Sequence, residues 1–212
     1  MLLDHPHRVQ EGTLAVALVA VCFLGGLRIA QSRHRDAEEE RARRPDELRG
    51  CLLVIHRAVA GMKGNLPPPE GWLRITIHRV DAPHLEQMLE YVGSDDRGKV
   101  GRRFSIHAGL IGVVARTGEM RGFERPKDMP FSEWCDYLVD HHGMTRDDAK
   151  ATREDRFAFL GVPIKKGASV RAVVYLDAGE TGFFDKSVAD LVVYGCEGLA
   201  AWIDERYDPS RS

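Results

Sequence analysis

RFAFLGVPIKKGASVRAVVYLD, residues Arg156 to Asp177, decides the fold. Two runs rich in Val, Phe, Leu and Tyr, Phe157 to Ile164 and Val170 to Leu176, flank Lys165-Lys166-Gly167-Ala168-Ser169. A glycine among small polar residues favours chain reversal, so the stretch predicts a β-hairpin. Both runs are mostly apolar rather than strictly alternating. That places the hairpin in the middle of a sheet covered on both faces, where a core or a ligand pocket forms.

Upstream, Leu73-Arg74-Ile75-Thr76-Ile77-His78 alternates cleanly, with Leu73, Ile75 and Ile77 on one face and Arg74, Thr76 and His78 on the other. On a central strand, those three polar side chains would look into a ligand pocket; on an edge strand they would face water. Ala82-Pro83 turns the chain into a second strand, His84 to Val92, and a polar loop follows from Gly93 to Gly98. Leu110, Val113, Val114 and Thr117 predict the inner face of a short helix that Gly118 stops, and Met120 to Phe123 predict a short strand.

The sheet needs cover, and the rest of the chain supplies it. Residues 46–61, DELRGCLLVIHRAVAG, form a helix whose stripe is Leu48, Leu52, Ile55 and Val59, widened by Cys51 and Ala58, with Gly61 and Gly64 as its stops. Asp185 caps a final helix to about Arg206, striped by Val188, Leu191, Val192, Gly195, Leu199, Trp202 and Ile203. These two helices are expected to pair on one face of the sheet. From Glu124 to Glu154, Pro126 and Pro130 punctuate a lid. Ser132 caps one of its helices, with Trp134, Tyr137, Leu138 and His141 on one stripe and Gly143 at the end; Thr145-Arg146-Asp147-Asp148 begins a second, charged helix.

Before this domain lies Thr13 to Ala30, TLAVALVAVCFLGGLRIA, without charge before Arg28 and close to the lower limit of about 17 residues for a bilayer span. It reads as a single transmembrane helix. A cleaved signal peptide competes, but the preceding residues are not clearly basic and Arg28 stands where a cleavage site would fall. Six arginines follow the segment within residues 28–44 and only Arg8 precedes it, so residues 1–12 are expected outside the cell membrane and the main domain in the cytoplasm. Residues 31–45 form a charged juxtamembrane linker and residues 208–212 a tail.

With 212 residues, 43% hydrophobic, the chain holds one domain with a sizeable core, residues 46–207, plus the anchor. Thirty basic against thirty-two acidic residues give a net charge of -2, so no global footprint for nucleic acid is present. Cys22, Cys51, Cys135 and Cys196 show no metal-ligand spacing and read as small buried hydrophobes. His141 and His142 point about 100° apart on a helix, so they do not chelate one ion easily and no metal is expected. No phosphate-binding glycine loop and no nucleophile, base and carboxylate set can be assigned.

The order of elements resembles a GAF domain, carried by GLIGVVARTGE at residues 109–119, by RFAFLGVPIKKGASVRAVVYLDA at residues 156–178, by GFFD at residues 182–185 and by the long final helix. The resemblance covers residues 46–207. It implies an α+β fold: an antiparallel central sheet with terminal helices on one face, a lidded small-molecule pocket on the other, and frequent dimerisation through the terminal helices. It is less specific for ligand. Cyclic-nucleotide-binding members carry an Asn-Lys pair after the hairpin, then a Phe and an Asp-Glu pair; here Asp177-Ala178 and Val188-Ala189 stand at the two pairs, with Phe184 at the Phe. Bilin-binding members follow a lid cysteine with His, whereas Asp136 follows Cys135. Sulfoxide reductase members need several pocket cysteines, and Cys135 is alone near this one.

Arg74, Thr76, His78, Arg156, Tyr175 and Asp177 are the candidate polar lining, a mixture that suits an anionic or heterocyclic ligand. Trp134 and Tyr137 either stack on that ligand or pack the lid onto the sheet. Pairing of Arg156 with Asp177 in a pocket filled by side chains is the competing arrangement. The leading expectation is a membrane-anchored sensor that binds a small molecule, nucleotides included, and signals through a homodimer or a separate effector protein. The second is an interaction module that recruits a partner to the membrane without a ligand, and the third a methionine sulfoxide reductase.

Overall fold

Alternation along the central strands sorts their side chains into two buried layers. The computed structural model describes residues 46–95 and 99–206, with side chains through residue 200. Residues 1–45, which include the proposed anchor Thr13 to Ala30 and its linker, lie outside the described residues, as do the end of the loop after Gly93, the side chains of Trp202 and Ile203 and the tail. Among the described residues no helix is long and apolar enough to cross a membrane.

Helix α1 covers residues 46–62. It is followed by β1 (Leu73–Asp81), β2 (His84–Gln87), β3 (Arg103–Ser105), α2 (Gly109–Thr117), β4 (Arg121–Glu124), α3 (Phe131–His142), α4 (Arg146–Lys150), β5 (Ala158–Lys166), β6 (Ser169–Ala178) and α5 (Lys186–Arg206). The strands form one sheet in the order β3-β2-β1-β6-β5-β4, antiparallel throughout. The α+β architecture is the one the GAF resemblance implies, and the hairpin strands β5 and β6 lie inside the sheet.

Leu73, Ile75 and Ile77 of β1, Leu160 and Val162 of β5 and Val174 and Leu176 of β6 pack in one core with Leu48, Leu52, Ile55 and Val59 of α1 and Val188, Val192 and Leu199 of α5. Burying each such side chain contributes about 1.5–3 kcal/mol. The α1 stripe is therefore as expected, except that Ala58 is exposed and Ala60 buried in its stead. Asp185 caps α5 by accepting a 3.0 Å bond from the Val188 amide. Gly195 lets the two helices meet: a Cβ there would sit 2.7 Å from Ile55 Cγ1.

The opposite face carries α2 and the lid helices α3 and α4, packed through Leu110, Ile111, Val114, Trp134, Cys135, Leu138 and Ala149 onto Leu85, Phe159 and Val173. Gly161 of β5 makes this layer possible, because a Cβ would lie 2.9 Å from Val114 and 3.4 Å from Leu110. Helix α2 thus rests on bare backbone.

Several boundaries differ from the sequence expectation. The hairpin turn is only Gly167-Ala168, with Lys166 opposite Ser169 and a register shift at Ile164/Lys165 that absorbs the residues assigned to a longer reversal. The second strand ends at Gln87 because the Leu89 carbonyl is taken by two side chains, Thr76 Oγ1 at 2.7 Å and Gln87 Nε2 at 2.8 Å; pairing resumes only at Val92 with Ile75. Pro130 rather than Ser132 precedes α3, and Gly118 and Gly143, both left-handed, end α2 and α3. The inner face of α2 is Leu110, Ile111 and Val114, whereas Thr117 is exposed and turns its hydroxyl to the Val113 carbonyl.

The Gly195 contact gives a test by denaturant unfolding of the full chain. Gly195→Leu should destabilise by about 1–3 kcal/mol through overpacking against Ile55, while Gly198→Ala, on the same helix with nothing within 4 Å of its added carbon, should gain up to about 1 kcal/mol of helix propensity.

Candidate functional site

Cross-strand register arranges the lid-facing side chains in rows. Arg74 lies opposite Asp177 and Asp177 opposite Phe159; Thr76 opposite Tyr175 and Tyr175 opposite Gly161; His78 opposite Val173. Between sheet and lid lies a cavity of about 100 Å³. Its floor is Arg74, His78, Phe159, Tyr175 and Asp177, its wall Tyr91, Lys99, Arg102, Phe104 and Phe123, and its roof Leu110, Ile111, Trp134, Leu138, Met144 and Asp148, with Thr152, Arg153 and Arg156 where the lid returns to the sheet.

Of the residues expected to line a pocket, Arg74, His78, Trp134, Arg156, Tyr175 and Asp177 do so. Thr76 does not: it is fully buried on the same face, but its hydroxyl is spent on the Leu89 carbonyl. Tyr137 does not either. The buried face of α3 is Trp134, Cys135 and Leu138, and Tyr137 sits about 100° from its centre at 3.6 residues per turn. It is 37% exposed, stacked between Trp134 at 5.4 Å and His141 at 4.5 Å. Tyr91, Lys99, Arg102, Phe104 and Asp148 were not legible as lining, because they come from loops, an edge strand and a short helix without periodic signal. Cys135, the thiol a sulfoxide reductase would use, packs into the lid core and does not line the cavity; burial pushes its thiol up.

Charge at the sheet end is tightly organised. Arg74 grips Asp177 through two bonds, Nε to Oδ1 at 2.8 Å and Nη2 to Oδ2 at 2.6 Å, with both side chains buried. Burial works against the Arg74 charge, but the hydrogen bonds from it to Asp177 outweigh that effect, so it stays protonated. Its guanidinium also covers the Tyr91 ring at 4.4 Å. Arg156 stands 3.8 Å from Asp177, donates to the Gly71 carbonyl and holds Asp155 at 2.7 Å. Hydrogen bonds from Arg153 chiefly, and from Arg156, hold the Asp155 carboxyl well below the usual carboxylate range. Arg125 fastens both ends of the lid, donating to the Met129 carbonyl at 2.9 Å and the Glu154 carbonyl at 2.6 Å.

At the other end, His78 is pushed down to about 3, first by burial and second by the nearby Arg102. Burial, with Asp177 second, drives the Tyr175 phenol well above its ordinary value. Among the described residues two buried nitrogens on the cavity's residues, His78 Nδ1 and Trp134 Nε1, have no hydrogen-bond partner. Such groups are costly to leave unsatisfied.

No protein family's sequence profile matches the chain, and no curated protein sequence does. Among solved structures, the GAF domain of a phosphoenolpyruvate-protein phosphotransferase from Acinetobacter is 18% identical, covering 73% of this chain and 79% of that one at a TM-score of 0.49. The corresponding domain from Coxiella burnetii is 19% identical over 74% of this chain and 95% of its own, also at 0.49. A type II free methionine-R-sulfoxide reductase from Thermoplasma acidophilum is 12% identical over 73% and 95%, at 0.48. At TM-scores below 0.5 these likenesses carry no argument about activity, ligand or assembly.

Two measurements test the site's electrostatics. Asp177→Asn should cost about 3–5 kcal/mol in urea unfolding by stranding the buried Arg74, and the double replacement Arg74→Met with Asp177→Leu should recover most of that loss. His78 binds a proton less readily in the folded than in the unfolded chain. Its contribution to stability is thus complete above its ordinary value of 6.5 and is lost as pH falls from there toward 3. His78→Phe should lessen the decline of stability between pH 6 and pH 4, by at most about 1.4 kcal/mol per pH unit.

Proposed function

We propose that residues 46–207 form a GAF-like sensor domain whose lidded cavity binds a small molecule, and that Thr13 to Ala30 tether it to the cell membrane with the domain on the cytoplasmic side. The observation that carries the ligand reading is the pair of buried nitrogens, His78 Nδ1 and Trp134 Nε1, that have no hydrogen-bond partner among the described residues and belong to side chains lining a cavity rich in cations. A ligand that hydrogen-bonds them removes a cost the protein otherwise bears.

Size narrows the choice. A cavity of about 150 Å³ accepts benzene, and this one encloses about 100 Å³. A nucleotide therefore requires the lid to move outward, whereas a small organic ion or amino acid needs little rearrangement. Transmission follows from whichever lid position the ligand prefers, since only differential affinity shifts such an equilibrium. The receiver is a second copy of the chain or a separate effector protein. Leu53 and Val54 on the outer side of α1 and Tyr194 on α5, 42%, 69% and 70% exposed, support contact at the terminal helices.

Those same exposed side chains favour a second reading, an interaction module whose output needs no ligand. Thermal unfolding of the full chain against amino acids, small carboxylates, inorganic anions and cyclic nucleotides separates the two. The sensor reading expects a melting point that climbs with ligand concentration, equivalent to about 2.7 kcal/mol at one hundred times Kd, and loss of that shift in Trp134→Phe. A flat response across the panel, with Val54→Glu abolishing self-association or partner capture, would instead establish the interaction module.

A further inference from the structure

The cavity's cations are not equally committed. Arg156 spends its guanidinium on Asp155 and the Gly71 carbonyl, and Arg74 places two donors on Asp177. Arg102 differs. Among the described residues its side chain makes a single hydrogen bond, Nη2 to Asp148 Oδ1 at 2.9 Å, and a guanidinium offers five N–H donors. Its plane lies 4.6 Å over the Phe104 ring, and the Phe104 edge meets His78 with centroids 5.4 Å apart. His78 is 2% exposed and its Nδ1 has no partner among the described residues. Arg102, Phe104 and His78 all line the cavity.

A partly engaged guanidinium and an imidazole on the wall of one cavity can together receive an acid group, because a carboxylate can accept from both. Part of the remaining lining is apolar: Phe104, Leu110, Leu138 and Phe159. A fully polar anion would leave those walls unfilled, and a neutral apolar molecule would leave the nitrogens unsatisfied.

We propose that Arg102 and His78 form an acid-binding subsite and that the cavity takes a small monocarboxylic acid with an apolar body, its carboxylate accepting from the free donors of Arg102 and from the ring N–H of His78. The proposal rests on the reading of the cavity as a ligand site. Asp148 belongs to the same device. It sits in the first turn of α4, where the Thr145 hydroxyl donates to its carboxylate at 2.7 Å, so lid and ligand carboxylates share one guanidinium. The ligand's acid competes with the lid's.

The test uses the full chain and two isosteric pairs, isovalerate against isovaleramide and propionate against propionamide, at constant ionic strength, with inorganic phosphate as the polar control. Both acids should raise the melting temperature with concentration, while the amides and phosphate do not. Arg102→Gln should weaken acid binding about tenfold to a hundredfold. Its ligand-free melting point should stay near that of the parent, since the side chain is 32% exposed. Arg102→Lys, which keeps the charge and loses the fork, should fall between. Asp148→Asn should tighten binding about threefold, the worth of one partly exposed ion pair. Equal stabilisation by acid and amide, stabilisation by phosphate instead, or undiminished acid binding in Arg102→Gln overturns the acid subsite and leaves the cavity reading standing. If neither pair binds, the acid proposal fails; the cavity reading falls with it only when the wider ligand panel is also flat.

Discussion

The ion pair between Arg74 and Asp177 constrains the rest of the structure. The two residues face each other on the central strands β1 and β6, with helices α1 and α5 behind the sheet and the lid in front. Two charges removed from water are tolerated only when geometry and further hydrogen bonds satisfy them. Here the guanidinium meets both carboxylate oxygens and rests on Tyr91, while Arg156 approaches Asp177 from the side and bonds the Gly71 carbonyl ahead of β1. The charge network thereby fixes where the lid's return segment joins the sheet.

Close approach does the complementary work on the apolar side. Gly161 admits α2 onto the β5 backbone, and Gly195 admits Ile55 of α1 onto α5. The cavity lies between the rows of Arg74 and His78 on the sheet and the roof formed by α2, α3 and α4. Arg125 holds the two ends of that roof by carbonyl hydrogen bonds and by lying over Phe131 and Phe157, and Arg102 with Asp148 adds a tie from α4 to the wall. Arg146 with Asp136 adds a further tie from α4 to α3.

Polar groups in this interior divide by whether the protein itself satisfies them. Thr76, Gln87 and Arg156 are fully engaged and serve the fold. The nitrogens of His78 and Trp134 are not, and both belong to residues at the cavity surface. Thr76, whose hydroxyl is spent on the Leu89 carbonyl, leaves the pocket set, while Arg74 and His78 on the same strand line the cavity.

Local rules in the chain determined a good deal. The period of two in Leu73 to His78 assigned the faces of β1, the spacing of Leu48, Leu52, Ile55 and Val59 assigned the buried side of α1, and Asp185, Gly118 and Gly143 marked helix ends, because such signals depend on neighbours one to four residues away. The apolar runs around Gly167 likewise carried the central hairpin. What only the tertiary structure decided depends on distant partners. Two side chains capturing the Leu89 carbonyl cut β2 short, the packing of Cys135 turned α3 so that Tyr137 faces outward, and Arg102, Phe104 and Asp148 reached the cavity from segments without any periodicity. Alternation could place Arg74, His78 and Asp177 on one buried face; which of their polar atoms find a partner is a property of contacts made across the whole fold.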